Sequence, residues 1–162
     1  MNESQTARIL FRQLELVEND VVSLAEAMPA EHFDFVPRAG EFAGVRTFGE
    51  QIRHLATVIF LTVALVLEEC SPYPPGVNNN GPDGVNTKSD VLAYLREAFA
   101  YARLALHRIS ETDERETVKT YFGLQTRAEV AAGIVYHSYN HYGQMVVYAR
   151  LCGVVPPTSV VS

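Results

Sequence analysis

The residues of this chain best suited to chemistry lie in Tyr136-His137-Ser138-Tyr139-Asn140-His141-Tyr142-Gly143-Gln144. His137 and His141 are four apart, so a helix stacks them on one face. Val130, Ile134, His137, His141, Gln144, Tyr148 and Leu151 advance in alternating four- and three-residue steps, the rhythm of a buried helical seam. Two imidazoles and an amide thus stand where a bundle would place Leu or Ile. An unpartnered buried polar group costs about 1–3 kcal/mol, so something must satisfy them. A shared metal ion does so, because neutral imidazole is a common metal ligand. Gly133, one turn before His137, leaves room beside the pair, and Gln144, one turn after His141, can hold a second bond or a water. Ser138 follows His137, so the glutamate base of the zinc proteases is absent.

The other three histidines carry less signal. His54 lies in a stretch apolar on every side, so periodicity leaves its direction open. His32 falls in a loop and reads as a solvated or capping residue. His107 sits near a helix C-terminus, where an imidazolium favours the dipole. Cys70 and Cys152 are far apart, form no CxxC pair and read as small apolar filler near helix ends.

Four helices must position these groups. Ser4 to Met28 carries a seam of Leu10, Leu14, Val17, Val21, Leu24 and Met28, and Pro29 ends it. Residues 29–46 hold two prolines and two glycines and predict an irregular connection. Thr47-Phe48-Gly49-Glu50 is a capping-box signature opening a helix to about Glu69, apolar nearly all round from Leu55 to Leu67. Those thirteen residues fall short of the roughly twenty a bilayer requires and predict a buried central helix. Residues 70–86, rich in proline, glycine and asparagine, form the longest interruption, either functional or a crossover between distant helix ends. Thr87 and Asp90 cap a third helix to about Ile109, with Leu92, Leu95, Phe99, Ala102, Leu106 and Ile109 as its seam. Residues 110–125 are polar and broken by Gly123, with no strand assigned. Thr126 and Glu129 make another capping box and open the helix of the two histidines, from about Arg127 to Leu151. Cys152-Gly153 and Pro156-Pro157 stop it, and the last residues form a tail packed on the bundle. An all-α four-helix bundle in one domain, residues 1–162, is the expected architecture.

Composition narrows the function classes. With 162 residues, 48% hydrophobic and 20% charged, the chain can bury a core without disulfides. Net charge is −6, from 13 basic and 19 acidic residues with no basic cluster, which argues against a nucleic-acid surface. No phosphate-cradling glycine loop and no GxSxG turn occur. The first residues lack a basic start and an apolar signal core, so a cytoplasmic location without membrane association is expected. Apolar residues beyond the first seam (Ile9, Phe11, Leu16, Val22), with the all-round apolar second helix, lead to the expectation of a homodimer.

Two further stretches complete a pattern. Thr47-Phe48-Gly49-Glu50-Gln51-Ile52-Arg53-His54-Leu55-Ala56 places a histidine about two turns into the second helix. His137-xxx-His141 is followed by Gly143-Gln144, then Arg150-Leu151-Cys152-Gly153 and Pro156-Pro157. Together, over essentially the whole chain, they resemble the DinB/YfiT-like family of metalloenzymes. The resemblance implies a four-helix bundle in a mirror variant of the up-and-down topology, often dimeric. It also implies a divalent ion held by one histidine of the second helix and two of the fourth, here His54, His137 and His141. Three neutral ligands leave a coordination position open, the pattern of a catalytic ion, with zinc the first choice and nickel the second. No catalytic side chain is assigned; Gln144 and Glu50 are candidates for supporting the ligands, and His32, His107 or Glu50 for closing the site. Relatives include S-transferases and an isomerase that use low-molecular-weight thiols such as bacillithiol or mycothiol. The implied activity is transfer of such a thiol to an electrophilic small molecule. The alternatives are metal-hydroxide hydrolysis and a non-catalytic, stress-related metal-binding bundle.

Overall fold

The computed structural model describes residues 4–37 and 44–159. Helix α1 spans Gln5–Ala27, α2 Phe48–Leu67, α3 Lys88–Arg108 and α4 Arg127–Leu151. Each begins where a side chain takes over an orphan backbone N–H. Ser4 Oγ accepts from Ala7 N, and Thr47, Thr87 and Thr126 each form a full reciprocal box with Glu50, Asp90 and Glu129. The second helix stops two residues short of the expected Glu69, with Glu68 turning into the left-handed region at φ 54. The part of the 29–46 connection formed by residues 38–43 lies outside the described residues, as do residues 1–3 and 160–162. Within the rest of it, Ala30–His32 forms one 3-10 turn.

The helices form a ring in which α1 touches α3 and α4, and α2 touches α3 and α4. Sequence neighbours α1 and α2 are therefore diagonal, as are α3 and α4. The long connections at 28–47 and 109–126 are what allow these crossings. The expected seams fill the middle. Leu14, Val17, Val21, Leu24 and Met28 meet Ile52, Leu55, Ile59 and Phe60, with Leu95, Phe99, Ile134 and Met145 closing the core. By length and composition α2 could cross a membrane, but 61% of its most apolar window is buried inside the bundle. It is less enclosed than its composition suggests, since Leu65 is 42% exposed.

Two expectations are corrected. Residues 110–125 contain a β-hairpin, β1 Thr117–Thr120 pairing antiparallel with β2 Gly123–Thr126, where no strand was assigned. Tyr121 and Phe122 form its two-residue tip, and Gly123 supplies φ 106 at the first paired position. Leu151 does not continue the α4 seam, being 59% exposed. A straight helix drifts about 20° per heptad from a strict seven-residue repeat, so after three heptads the row has rotated off the core. The tail does pack back as expected: Tyr142 Oη lies 2.5 Å from Thr158 Oγ1 in the terminal 3-10 turn Pro157–Ser159.

Candidate metal centre

Because α2 and α4 are ring neighbours, the seam histidines of α4 face the first turns of α2. His54, His137 and His141 each offer a nitrogen, and these atoms all lie within 4.8 Å of one another. Ring centroids stand 4.4 Å apart for His137 and His141, 4.9 Å for His54 and His141, and 5.4 Å for His54 and His137. His141 is buried, and His54 and His137 are half-buried. Among the described residues, this is the group of histidine, cysteine and acidic side chains close enough to hold one ion.

Hydrogen bonds settle which nitrogens are available. His54 Nδ1 lies 3.1 Å from the Asn79 carbonyl oxygen, which can only accept, so Nδ1 carries the proton and Nε2 keeps its lone pair. His141 Nδ1 lies 2.7 Å from Gln51 Oε1. Gln51 turns its Nε2 to Gln144 Oε1 at 3.2 Å and Tyr148 Oη at 3.4 Å, so its oxygen is the end facing the imidazole. His141 is therefore protonated on Nδ1 and free on Nε2 as well. His137 Nε2 is buried and has no hydrogen-bond partner. Such an orphan costs about 1–3 kcal/mol unless a ligand takes it up.

Electrostatics disfavour satisfying these nitrogens with protons. Burial, then the other histidines and Arg46, pushes His137 down to about 4 and His141 down to about 3. His54 is also lowered, first by burial and then by Arg46. All three are neutral at pH 7, with lone pairs converging and acceptors fixing the far side of two rings. This donor set fits a divalent ion: three imidazole ligands, two of them with tautomers fixed by acceptors already in place, and a buried Nε2 on the third with no other partner.

The supporting groups come from places that spacing does not reveal. Gln51, 4% exposed, is invisible because α2 is apolar all round and offers no periodicity to orient it. Gln144 contributes one step further out, through Gln51 and not through a histidine. Glu50 is occupied as the capping-box acid, with Oε2 accepting from Thr47 N at 2.8 Å and Oε1 from Asn80 Nδ2 at 3.5 Å. His32 and His107 do not join the cluster; His107 is exposed and its ring lies tilted at 49° to that of Phe11, centroids 4.5 Å apart. Cys70 is exposed, not packed as filler, because the loop carries it clear of the bundle, while burial raises the Cys152 thiol. Gly133 has open space around it, so a Cβ there would meet nothing within 4 Å.

The loop between α2 and α3 brings Asn79 to the site. It pinches shut where Gly81 N donates to Pro75 O at 2.9 Å. Gly76 has φ 65, and a Cβ on it would lie 1.9 Å from Gly81 O; Gly81 has φ 79 and sits against Thr57 and Tyr94 of the bundle. Neither position accepts a side chain without strain. Between them Asn78 and Asn79 also take left-handed conformations, at φ 56 and 57, which asparagine tolerates best among non-glycine residues. The turn presents two successive carbonyls: Asn79 O to His54, and Asn78 O to Arg46 Nη2 at 2.9 Å.

Residues 13–145 match the family model of the DinB superfamily, a span that includes all three histidines. The chain belongs to the DinB superfamily. The solved structure of a DinB-like protein from Bacillus cereus superposes with a TM-score of 0.70 at 18% identity, covering 99% of this chain and 100% of that one. A DinB-like protein from Bacillus subtilis gives 0.68 at 17% identity, covering 89% and 91%. At these identities the likeness shows the fold, and the DinB bundle is the fold described above. No curated protein matches the chain.

Proposed function

We propose that this DinB-superfamily protein is a metal-dependent enzyme that transfers a low-molecular-weight thiol to an electrophilic small molecule. The observation that carries the proposal is the convergence of three neutral imidazoles whose nitrogens lie within 4.8 Å, one of them buried and unpartnered. Bound there, a divalent ion such as zinc or nickel supplies a positive charge that lowers the pKa of a thiol placed against it. His54, His137 and His141 hold that charge undiminished, since none of them carries a negative charge. Gln51 and the Asn79 carbonyl keep the rings turned with Nε2 inward. The thiol sulfur gives its electron pair to the electrophilic carbon, the leaving group departs with its bonding pair, and the thiol proton passes to solvent. Neither Cys70 nor Cys152 belongs to the histidine group, so the thiol comes from outside the chain.

The test is a panel of small thiols against an activated aromatic halide, with protein purified without an affinity tag and its metal measured. Thiol-dependent, metal-dependent turnover lost in both H54A and H141A is the expected result. Turnover that survives both substitutions overturns the assignment. Metal-dependent ester cleavage with no thiol effect replaces it with hydrolysis.

A further inference from the structure

Arg46 lies close enough to His54, His137 and His141 to help lower their pKa values. Its Nε donates to Asn80 Oδ1 and its Nη2 to Asn78 O, both at 2.9 Å. Those contacts use two of the five guanidinium N–H donors. Among the described residues no carboxylate lies within ion-pair distance of it. The Asn turn therefore grips one edge of the guanidinium, and among the described residues nothing bonds the Nη1 end. Arg46 also lines a cleft of about 480 Å³, together with Gly44, Val45, Glu50, Asn78, Asn79 and Asn80. The same turn joins cleft and metal centre, since Asn78 holds Arg46 and the next carbonyl holds His54. A second tie runs through the backbone: Arg46 O accepts from Tyr148 Oη, which also receives Gln51 Nε2, the amide behind His141.

A divalent ion on the histidines would leave this corner strongly positive. Three neutral ligands cancel none of its charge, and Arg46 adds one more. Glu50 of the cleft lining offsets one of those charges, with its oxygens turned to Thr47 and Asn80, and the corner stays net positive. Positive charge in a walled cleft concentrates anions. A planar guanidinium with free N–H groups matches a carboxylate in particular. Glu50 beside it disfavours a more highly charged group such as a phosphate dianion.

We propose that the Arg46 cleft is a carboxylate subsite, so that the thiol used at the metal centre is itself an anionic mercaptocarboxylate. The proposal rests on the thiol reading of that centre and names the class of thiol.

The experiment uses the full-length protein loaded with cobalt, whose sulfur-to-cobalt absorption reports thiol binding directly. Mercaptoacetate, mercaptopropionate and mercaptobutyrate are titrated against their neutral carboxamides, in wild type, R46Q and R46K, with cobalt content measured in each. For the best-fitting chain length, wild type should prefer the carboxylate by about tenfold or more, the effect of one charged hydrogen-bonded contact. The preference should collapse towards unity in R46Q and be partly kept in R46K. A ratio near unity in wild type at every length overturns the subsite, and so does a preference unchanged in R46Q. The thiol reading fails separately, by the absence of a sulfur band with any thiol. Calorimetry with propionate and butyrate then decides the cleft alone. Binding lost in R46Q supports it, and equal or no binding in the two proteins overturns it.

Discussion

At the residue scale, the centre depends on orientation as much as on ligand identity. Gln51 fixes His141 from behind, so replacing it with Leu removes the acceptor for Nδ1 and frees the ring to adopt the wrong tautomer. Loss of such a supporting bond costs about 10–100-fold in metal affinity. Q51L should show that drop in a chelator competition while keeping its fold, and an unchanged affinity would refute the role. The histidines also predict a pH response. Their pKa values are depressed on folding, so below the unfolded value of about 6.5 the unfolded chain binds more protons than the folded one. Stability of the metal-free protein is then complete above about pH 6.5 and is lost progressively as pH falls towards 4 and 3. Metal affinity of the folded protein should fall as pH approaches those lowered folded-state values, where protons begin to compete for the same lone pairs. Chemical denaturation of metal-free wild type and H137L from pH 7 to pH 4 checks this: the decline should be shallower in H137L, and parallel curves would contradict it.

At the element scale, the α2–α3 loop is a positioning device, and its glycines are the testable part. In G76A a Cβ would meet Gly81 O at 1.9 Å with φ left at 65, so the pinch must open. Opening it withdraws Asn79 from His54 and Asn78 from Arg46. G76A should keep the helical signal of wild type yet bind metal more weakly; full metal affinity would show that the loop does not position the site. How far the sequence reveals such features depends on the kind of element. The helices were legible, since each capping box is a local hydrogen-bond pattern written in four residues and each seam is a periodic row. The α4 histidines were legible because they interrupt such a row. His54 was legible only through the family resemblance, and Gln51 was not, because α2 is apolar on all faces and no row exists to interrupt. Arg46 and Asn79 lie in irregular segments whose geometry depends on closure between distant residues. The hairpin escaped because only Val118 of its eight strand residues is buried, so it lacks the apolar alternation that marks a strand.

At the scale of the whole molecule, the remaining apolar surface is uneven. On α1, Ile9 and Leu16 are 54% and 57% exposed, and being seven residues apart they lie on the same side of the buried seam. On the adjacent helix α4, Tyr136 is 73% exposed and Val147 53%. Tyr139 lies between them in sequence and close enough to Asp20 of α1 for that carboxylate to help raise its hydroxyl pKa, after burial. Scattered apolar residues on a surface need no explanation, but a run of them along two neighbouring helices suits a self-complementary interface. We expect a homodimer through this α1–α4 face, of about the 800 Å² per partner that stable interfaces bury. Light scattering at micromolar concentration should give twice the chain mass, and L16E should give the chain mass with its metal retained, because Leu16 lies outside the histidine group. A wild-type monomer removes the dimer altogether. A dimer that persists in L16E moves the interface elsewhere, to the hairpin tip where Tyr121 and Phe122 are 97% and 86% exposed.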